Sequence, residues 1–149
     1  MCCRCVMEKE YRTESPEETQ NLGEEFGKTL KSGDVVALIG DLGTGKTCLT
    51  QGIARGIGIA ADEVVSSPSY ILINEYKGKI PIYHIDLYRL ENIAEIADLG
   101  IGEYVESDGI CIIEWAERME EGLPETSIRI YITWEDENTR SIKIQHFIP

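Results

Sequence analysis

The sequence predicts an α/β domain on a mixed parallel and antiparallel sheet, and three observations predict it. A continuous apolar run from Val35 to Ile39 leads into a glycine-rich loop and then a helix, as in a strand buried on both faces. A second apolar run, Gly109 to Ile113, ends on an acid. Near the end of the chain, Ile128 to Trp134 and Ser141 to Phe147 alternate apolar with polar residues around the turn-rich Glu135-Asp136-Glu137-Asn138, the pattern of a hairpin with one wet face.

In chain order, Lys9 to Thr13 reads as a short strand, with residues 1–10 as a poorly ordered N-terminal extension of a single domain spanning 1–149. Ser15-Pro16-Glu17-Glu18 starts a helix, with Ser15 as N-cap, Pro16 at the first helical position and Glu18 closing a capping box. Leu22, Phe26 and Leu30 share one face of it. The glycine-rich loop opens a helix from Lys46 to Ile57, stopped at Gly58. Ser66-Ser67-Pro68-Ser69 is a loop. Tyr70 to Tyr76 and Ile80 to Leu87 pair as a hairpin around Lys77-Gly78-Lys79. Asn92 to Asp98 and Gly102 to Glu106 are helical, and Ala116 to Glu121 begins a helix halted by Gly122 and Pro124.

Composition narrows the class. The 149 residues suffice for one domain with its own core, and 42% are apolar. There is no run of eighteen apolar residues, and the polar start after the first cysteines offers no secretory signal, so the sequence reads as cytoplasmic. The net charge is −13, from 27 acids against 14 bases. Phosphate backbones need a basic stripe, and none is visible, so any RNA is expected to be held by a partner. Cys48 and Cys111 read as small buried hydrophobes. Cys2, Cys3 and Cys5 read as free thiols at a frayed end, because no second His/Cys pair stands at a ligand spacing.

The chemistry starts at Gly40-Asp41-Leu42-Gly43-Thr44-Gly45-Lys46-Thr47, which fits G-x-x-x-x-G-K-[ST] at every fixed position. Gly40, Gly43 and Gly45 let successive backbone N–H groups turn inward as an anion nest. Lys46 reaches the β- and γ-phosphates, Thr47 offers its hydroxyl to Mg²⁺, and the helix N-terminus adds positive partial charge. With a strand before it and a helix after it, the loop marks a three-layer P-loop NTPase that takes ATP and Mg²⁺. The residues expected around the nucleotide are Asp41, Leu42, Gly43, Thr44, Gly45, Lys46, Thr47 and Cys48.

Two acids stand where a catalyst needs them. Glu114 closes the strand Gly109–Ile113 at the carboxyl edge, where open α/β sheets bind ligands; there it can hold Mg²⁺ through water, or polarise the attacking water, so Thr47 and Glu114 are the expected metal residues. Asp86 ends Ile80–Asp86 and is the second candidate catalytic acid, one serving the metal and the other the water or a switch segment. His84 shares a face with Asp86 and reads as a satisfied, half-buried histidine rather than a catalyst. Trp115 reads either as core or as a surface for nucleotide or partner.

Taken in order, the Ser15–Thr19 helix start, GDLGTGKT, Ser67-Pro68-Ser69-Tyr70, His84-Ile85-Asp86-Leu87-Tyr88-Arg89-Leu90, Asp98-Leu99-Gly100 and Ile113-Glu114-Trp115-Ala116-Glu117 resemble the TsaE (YjeE) family. The resemblance covers nearly the whole chain beyond its first ten residues. It implies a bacterial ATPase of tRNA threonylcarbamoyladenosine biosynthesis, working on the paired partners TsaB and TsaD, which carry the transfer to the adenosine beside the anticodon. It implies that Lys46 and Thr47 bind phosphate and Mg²⁺, that Asp86 and Glu114 are the essential acids, and that Trp115 belongs to the same strip. Two positions depart from the family pattern: Cys48 replaces a second threonine, and Ser69 replaces the threonine of Ser-Pro-Thr. A small-molecule kinase shares the P-loop, but between residues 87 and 127 only Arg89 and Arg118 could serve a phosphate-closing lid. A binding module with negligible turnover is the third class, and the two strand-end acids count against it.

Overall fold

The structure, a computed structural model, describes residues 5–40, 45–59, 65, 73–88, 90, 94–95 and 100–148. The elements are β1 (Cys5–Thr13), α1 (Pro16–Gly27), β2 (Val35–Ile39), α2 (Lys46–Ile57), β3 (Ile73–Tyr76), β4 (Ile82–Asp86), α3 (Ile101–Val105), β5 (Ile110–Glu114), a 3₁₀ helix (Ala116–Gly122), β6 (Ile128–Trp134) and β7 (Arg140–Ile148). Seven strands form one sheet in the order β1-β7-β6-β2-β5-β4-β3. The centre is parallel, with β2 between β5 and β6 and with β4 beside β5; the pairs β3–β4, β6–β7 and β1–β7 are antiparallel.

Buried strands follow from apolar runs. Val35 to Leu38 and all of β5 are buried, so their alternate residues feed two cores. Val36, Leu38, Ile110, Ile112, Ile130 and Ile142 face Phe26, Leu49 and Ile53 of α1 and α2. On the opposite face Val35, Ala37, Cys111 and Ile113 meet Ile101 of α3, Ala116 and Met119 of the 3₁₀ helix, and Leu123 just after it. Fully burying one such Leu or Ile is worth about 1.5–3 kcal/mol. The result is helix, sheet, helix, the three-layer α/β architecture that the sequence predicts.

Helix starts and stops are local chemistry. Ser15 Oγ accepts from the Glu18 N–H at 3.1 Å, and the Glu18 carboxylate accepts from the Glu14 N–H at 3.0 Å, one residue before the cap itself. Gly58, at φ 102, closes α2 in the left-handed region. α1 and α2 cross at glycines that the hydrophobic pattern did not single out. A Cβ on Gly52 would overlap the Gln20 carbonyl oxygen, so only glycine allows the backbones this close.

Three elements differ from the expectation. Residues 5–10, expected to be part of a poorly ordered extension, belong to β1, because the whole of Cys5–Thr13 finds hydrogen-bonding partners along β7. The apolar run at Gly109 starts its strand at Ile110 and carries Glu114 as its last residue. Ala116–Gly122 is 3₁₀ rather than α, kinked at Met119 (φ −128). The hairpin around Lys77–Lys79 is present, with Tyr76 opposite Ile82. The expected loop Ser66–Ser69, the start of the Tyr70 strand, and Cys2 and Cys3 lie outside the described residues; of the expected helix Asn92–Asp98 only Ala94 and Glu95 are described, both helical. Among the described residues no helix is long and apolar enough to cross a membrane.

Candidate functional site

Register brings the candidate site together at the carboxyl ends of three parallel strands. Leu38 of β2 lies opposite Glu114 of β5, and Glu114 opposite Asp86 of β4. Alternation puts Glu114, Asp86 and His84 on the face that carries α2, and α2 begins just past the end of β2. Gly45 stands at the N-cap of α2 with φ 103, in the left-handed region that a residue with a Cβ rarely enters, and it offers no side chain to the first amides of the helix. Asp41, Leu42, Gly43 and Thr44 lie outside the described residues.

Lys46 is buried, 6% exposed. Its ammonium donates to the Gly40 carbonyl and sits 3.8 Å from the centre of the Trp115 ring. A buried cation is costly unless partnered, and here a carbonyl and a ring face share it. Trp115 is the one non-glycine residue at positive φ among the described residues (59°). That strained backbone turns its ring between Lys46, Tyr88 at 4.9 Å and Arg118 at 5.6 Å. Of the two readings of Trp115, the structure places it beside the loop lysine, half-buried, with one flank on the second core.

Glu114 is 2% exposed, and its two oxygens have different partners. Oε2 is bonded to His84 Nε2, while Oε1 accepts from Thr47 Oγ1 at 3.4 Å. His84, expected to be half-buried, is fully buried, because Glu114 on one side and Tyr76 on the other satisfy both ring nitrogens. Asp86 is half-buried, and Oδ1 accepts from the Tyr88 N–H at 2.9 Å. Burial pushes the Asp86 carboxyl above its ordinary value, with the negative charge of Glu114 adding to the rise; the Tyr88 N–H, His84 and Lys46 oppose it. The two strand-end acids are therefore register partners that feel each other's charge, and Thr47 joins Glu114 across the helix–strand gap.

Two contributors escaped the sequence. Glu117 is exposed at its rim, yet the surrounding protein desolvates its carboxyl enough to raise it, against its own N–H, the Lys46 and Arg118 charges and the Gly40 N–H. Its position three residues past Glu114, on the turn that Trp115 creates, is the signal that could have found it. Tyr76 is the other, the last residue of β3, six residues before β4 begins, and buried at 4%. Cys48 sits half-exposed rather than buried, its thiol donating to the Pro16 carbonyl at 3.1 Å. Burial pushes that thiol above the usual cysteine range. Beside it a cleft opens between Ser15, Pro16, Gly45, Asn138 and Arg140. The oxygens of Thr47 and Glu114 make a hard donor pair that suits Mg²⁺, an ion bound by one or two protein oxygens together with phosphates.

The model of the family described as "Threonylcarbamoyl adenosine biosynthesis protein TsaE" matches residues 13–142. The chain belongs to the TsaE family. It is 43% identical over 133 residues to the tRNA threonylcarbamoyladenosine biosynthesis protein TsaE of Bacillus subtilis (strain 168), covering 89% of this chain and 82% of that protein. The protein of the same name from Nostoc sp. (strain PCC 7120 / SAG 25.82 / UTEX 2576) is 46% identical over 136 residues, covering 88% of this chain and 82% of its own. That from Treponema pallidum (strain Nichols) is 37% identical over 141 residues, covering 95% and 98%. The fold is similar to a crystal structure of Bacillus subtilis YdiB, with a TM-score of 0.81, 36% identity, and coverage of 97% of this chain and 88% of that one. The match begins at Thr13, so most of β1 precedes the TsaE region proper.

Proposed function

We propose that this TsaE-family chain binds ATP with Mg²⁺ at the junction of β2 and α2 and hydrolyses it for the machinery that makes threonylcarbamoyladenosine in tRNA, acting on a TsaB–TsaD complex. The observation that carries the proposal is the meeting of Thr47 Oγ1 and Glu114 Oε1 at 3.4 Å, beside a buried lysine at a helix start. Each group has a task. The first amides of α2 and the loop before it take phosphate oxygens, aided by the helix dipole. Lys46 leaves the Gly40 carbonyl for the β- and γ-phosphates, a stronger partner than a neutral oxygen. Thr47 and Glu114 would hold Mg²⁺, which supplies neutralisation of the charge that develops on the phosphates. Asp86, whose raised carboxyl is poorly solvated and close to Glu114, orients the attacking water.

The acidity of the chain supports an indirect role toward tRNA. With a net charge of −13, long-range attraction to a phosphate backbone is absent, so the RNA is held by the partner proteins. The test is phosphate release from ATP by the chain alone and then with purified TsaB–TsaD. Slow release alone and a clear stimulation by the complex are expected. Equal rates with and without it contradict the partner role, and phosphate transfer to a small acceptor would mean a kinase.

A further inference from the structure

His84 lies in the middle of β4, 0% exposed, with both ring nitrogens engaged. Its neighbours come from the strands on either side. Nε2 meets Glu114 Oε2 of β5, and Nδ1 meets the Tyr76 hydroxyl of β3 at 3.1 Å. The Tyr76 hydroxyl in turn lies 3.3 Å from Asn74 Nδ2. Asn74 and His84 are register partners, and Tyr76, His84 and Glu114 all point to the α2 face.

We propose that His84 is a positioning residue for Glu114, whose ring N–H fixes the carboxylate so that its other oxygen faces Thr47. This rests on Glu114 being the acid that serves Mg²⁺. Donors and acceptors fix the direction of the bond to Glu114. A carboxylate only accepts, so Nε2–H donates to Oε2. On the other side of the ring Nδ1 lies within hydrogen-bond distance of the Tyr76 hydroxyl, whose oxygen accepts from Asn74 Nδ2. Every member is satisfied, which a buried polar network needs.

An imidazole donor suits this place for a physical reason. A lysine or arginine there would spend the Glu114 charge on itself and compete with the incoming cation. An imidazole N–H orients the carboxylate and leaves its charge in place. Outer partners that hydrogen-bond a metal's carboxylate ligand work in this way in other sites, and losing them costs about 10–100-fold in metal affinity or activity. Leaving Oε2 without a donor would also free the Glu114 rotamer that keeps Oε1 near Thr47.

The experiment has two arms. In the first, the nucleotide-free full chain is labelled with ¹⁵N-histidine, and the only other histidine, His146, is assigned with a His146→Gln variant. A proton on Nε2 of His84 is expected; a ring that carries its proton on Nδ1 alone overturns the proposal. In the second arm His84→Phe, which keeps the ring shape, is compared with His84→Gln, whose side-chain amide can still donate to Oε2. Expected for His84→Phe is a roughly 10–100-fold fall in kcat and a matching rise in the Mg²⁺ concentration for half-maximal rate. ATP affinity in EDTA stays within about threefold, and His84→Gln recovers most of the loss. An unchanged Mg²⁺ requirement in His84→Phe, or equal losses in both variants, overturns it. If His84→Phe does not fold, the tautomer arm decides alone. Failure of the nucleotide site itself would show elsewhere, as ATP affinity insensitive to Lys46.

Discussion

The parallel centre of the sheet and the antiparallel ribbon β6–β7–β1 are one sheet, yet they treat charge in opposite ways. On β4 and β5 an acid at 2% exposure and a histidine at 0% lie side by side, with a lysine at 6% a few ångströms along the edge. In the ribbon the charged residues sit on the wet rungs between Ile130, Ile132, Ile142 and Ile144, which are buried at 0–5%. Its ion pair, Arg12 with Glu135 at 3.0 Å, has side chains 62% and 42% exposed. Charge in the ribbon keeps the protein hydrated. In the centre it is desolvated, partnered and aimed at the start of α2, a cost that a structural sheet has no reason to carry. The difference separates the part of the molecule that makes the fold from the part that makes the site.

Substitutions should break the two regions in different currencies. The largest effect is expected from Glu114→Gln, which keeps shape and an acceptor for His84 but removes the charge: ATP turnover should fall at least about 100-fold, worth about 2.7 kcal/mol, with little change in unfolding temperature. Ile142→Ala, in the ribbon, should do the reverse. It cuts a fully buried side chain and should cost about 2–5 kcal/mol in denaturant unfolding, while ATP affinity stays unchanged. Next comes Asp86→Asn. Because the folded-state pKa of Asp86 is raised, its ionised form is a cost at neutral pH that vanishes below the unfolded value of 3.8. The asparagine variant should therefore be more stable at pH 7, by no more than about 1 kcal/mol after solvent screening, with turnover reduced. Its advantage should shrink as pH falls through the raised pKa; a gap that widens in acid would contradict the assignment. Arg12→Ala should be the mildest, below about 1 kcal/mol, and weaker still in high salt.

Much of this was legible in the residues, for physical reasons. Val35–Ile39 reads as a doubly buried strand because nothing polar interrupts it, and α2 reads from Lys46 to Ile57 because glycines bound both ends. Asp86 and Glu114 were visible as acids closing apolar runs, and parallel pairing of those runs put them opposite each other. Side-chain partnerships across strands were not legible. No local pattern says that Tyr76 and Glu114 would take the two nitrogens of His84, since they lie 8 and 30 positions away. Nor does alternation reveal that β7 would extend its pairing back to Cys5, because Glu8, Lys9 and Glu10 look like a solvated tip until a partner strand runs beside them. Trp115 hid for another reason: its place over Lys46 depends on a left-handed backbone that L-residues seldom adopt.

The measurement closest to the central claim is an equilibrium titration of ATP, with Mg²⁺ present, into the wild-type chain and into Lys46→Ala. Loss of the buried ammonium should weaken binding at least about 100-fold, while Arg12→Ala in the ribbon matches wild type. Affinity within twofold of wild type in Lys46→Ala would mean that the nucleotide is held somewhere else.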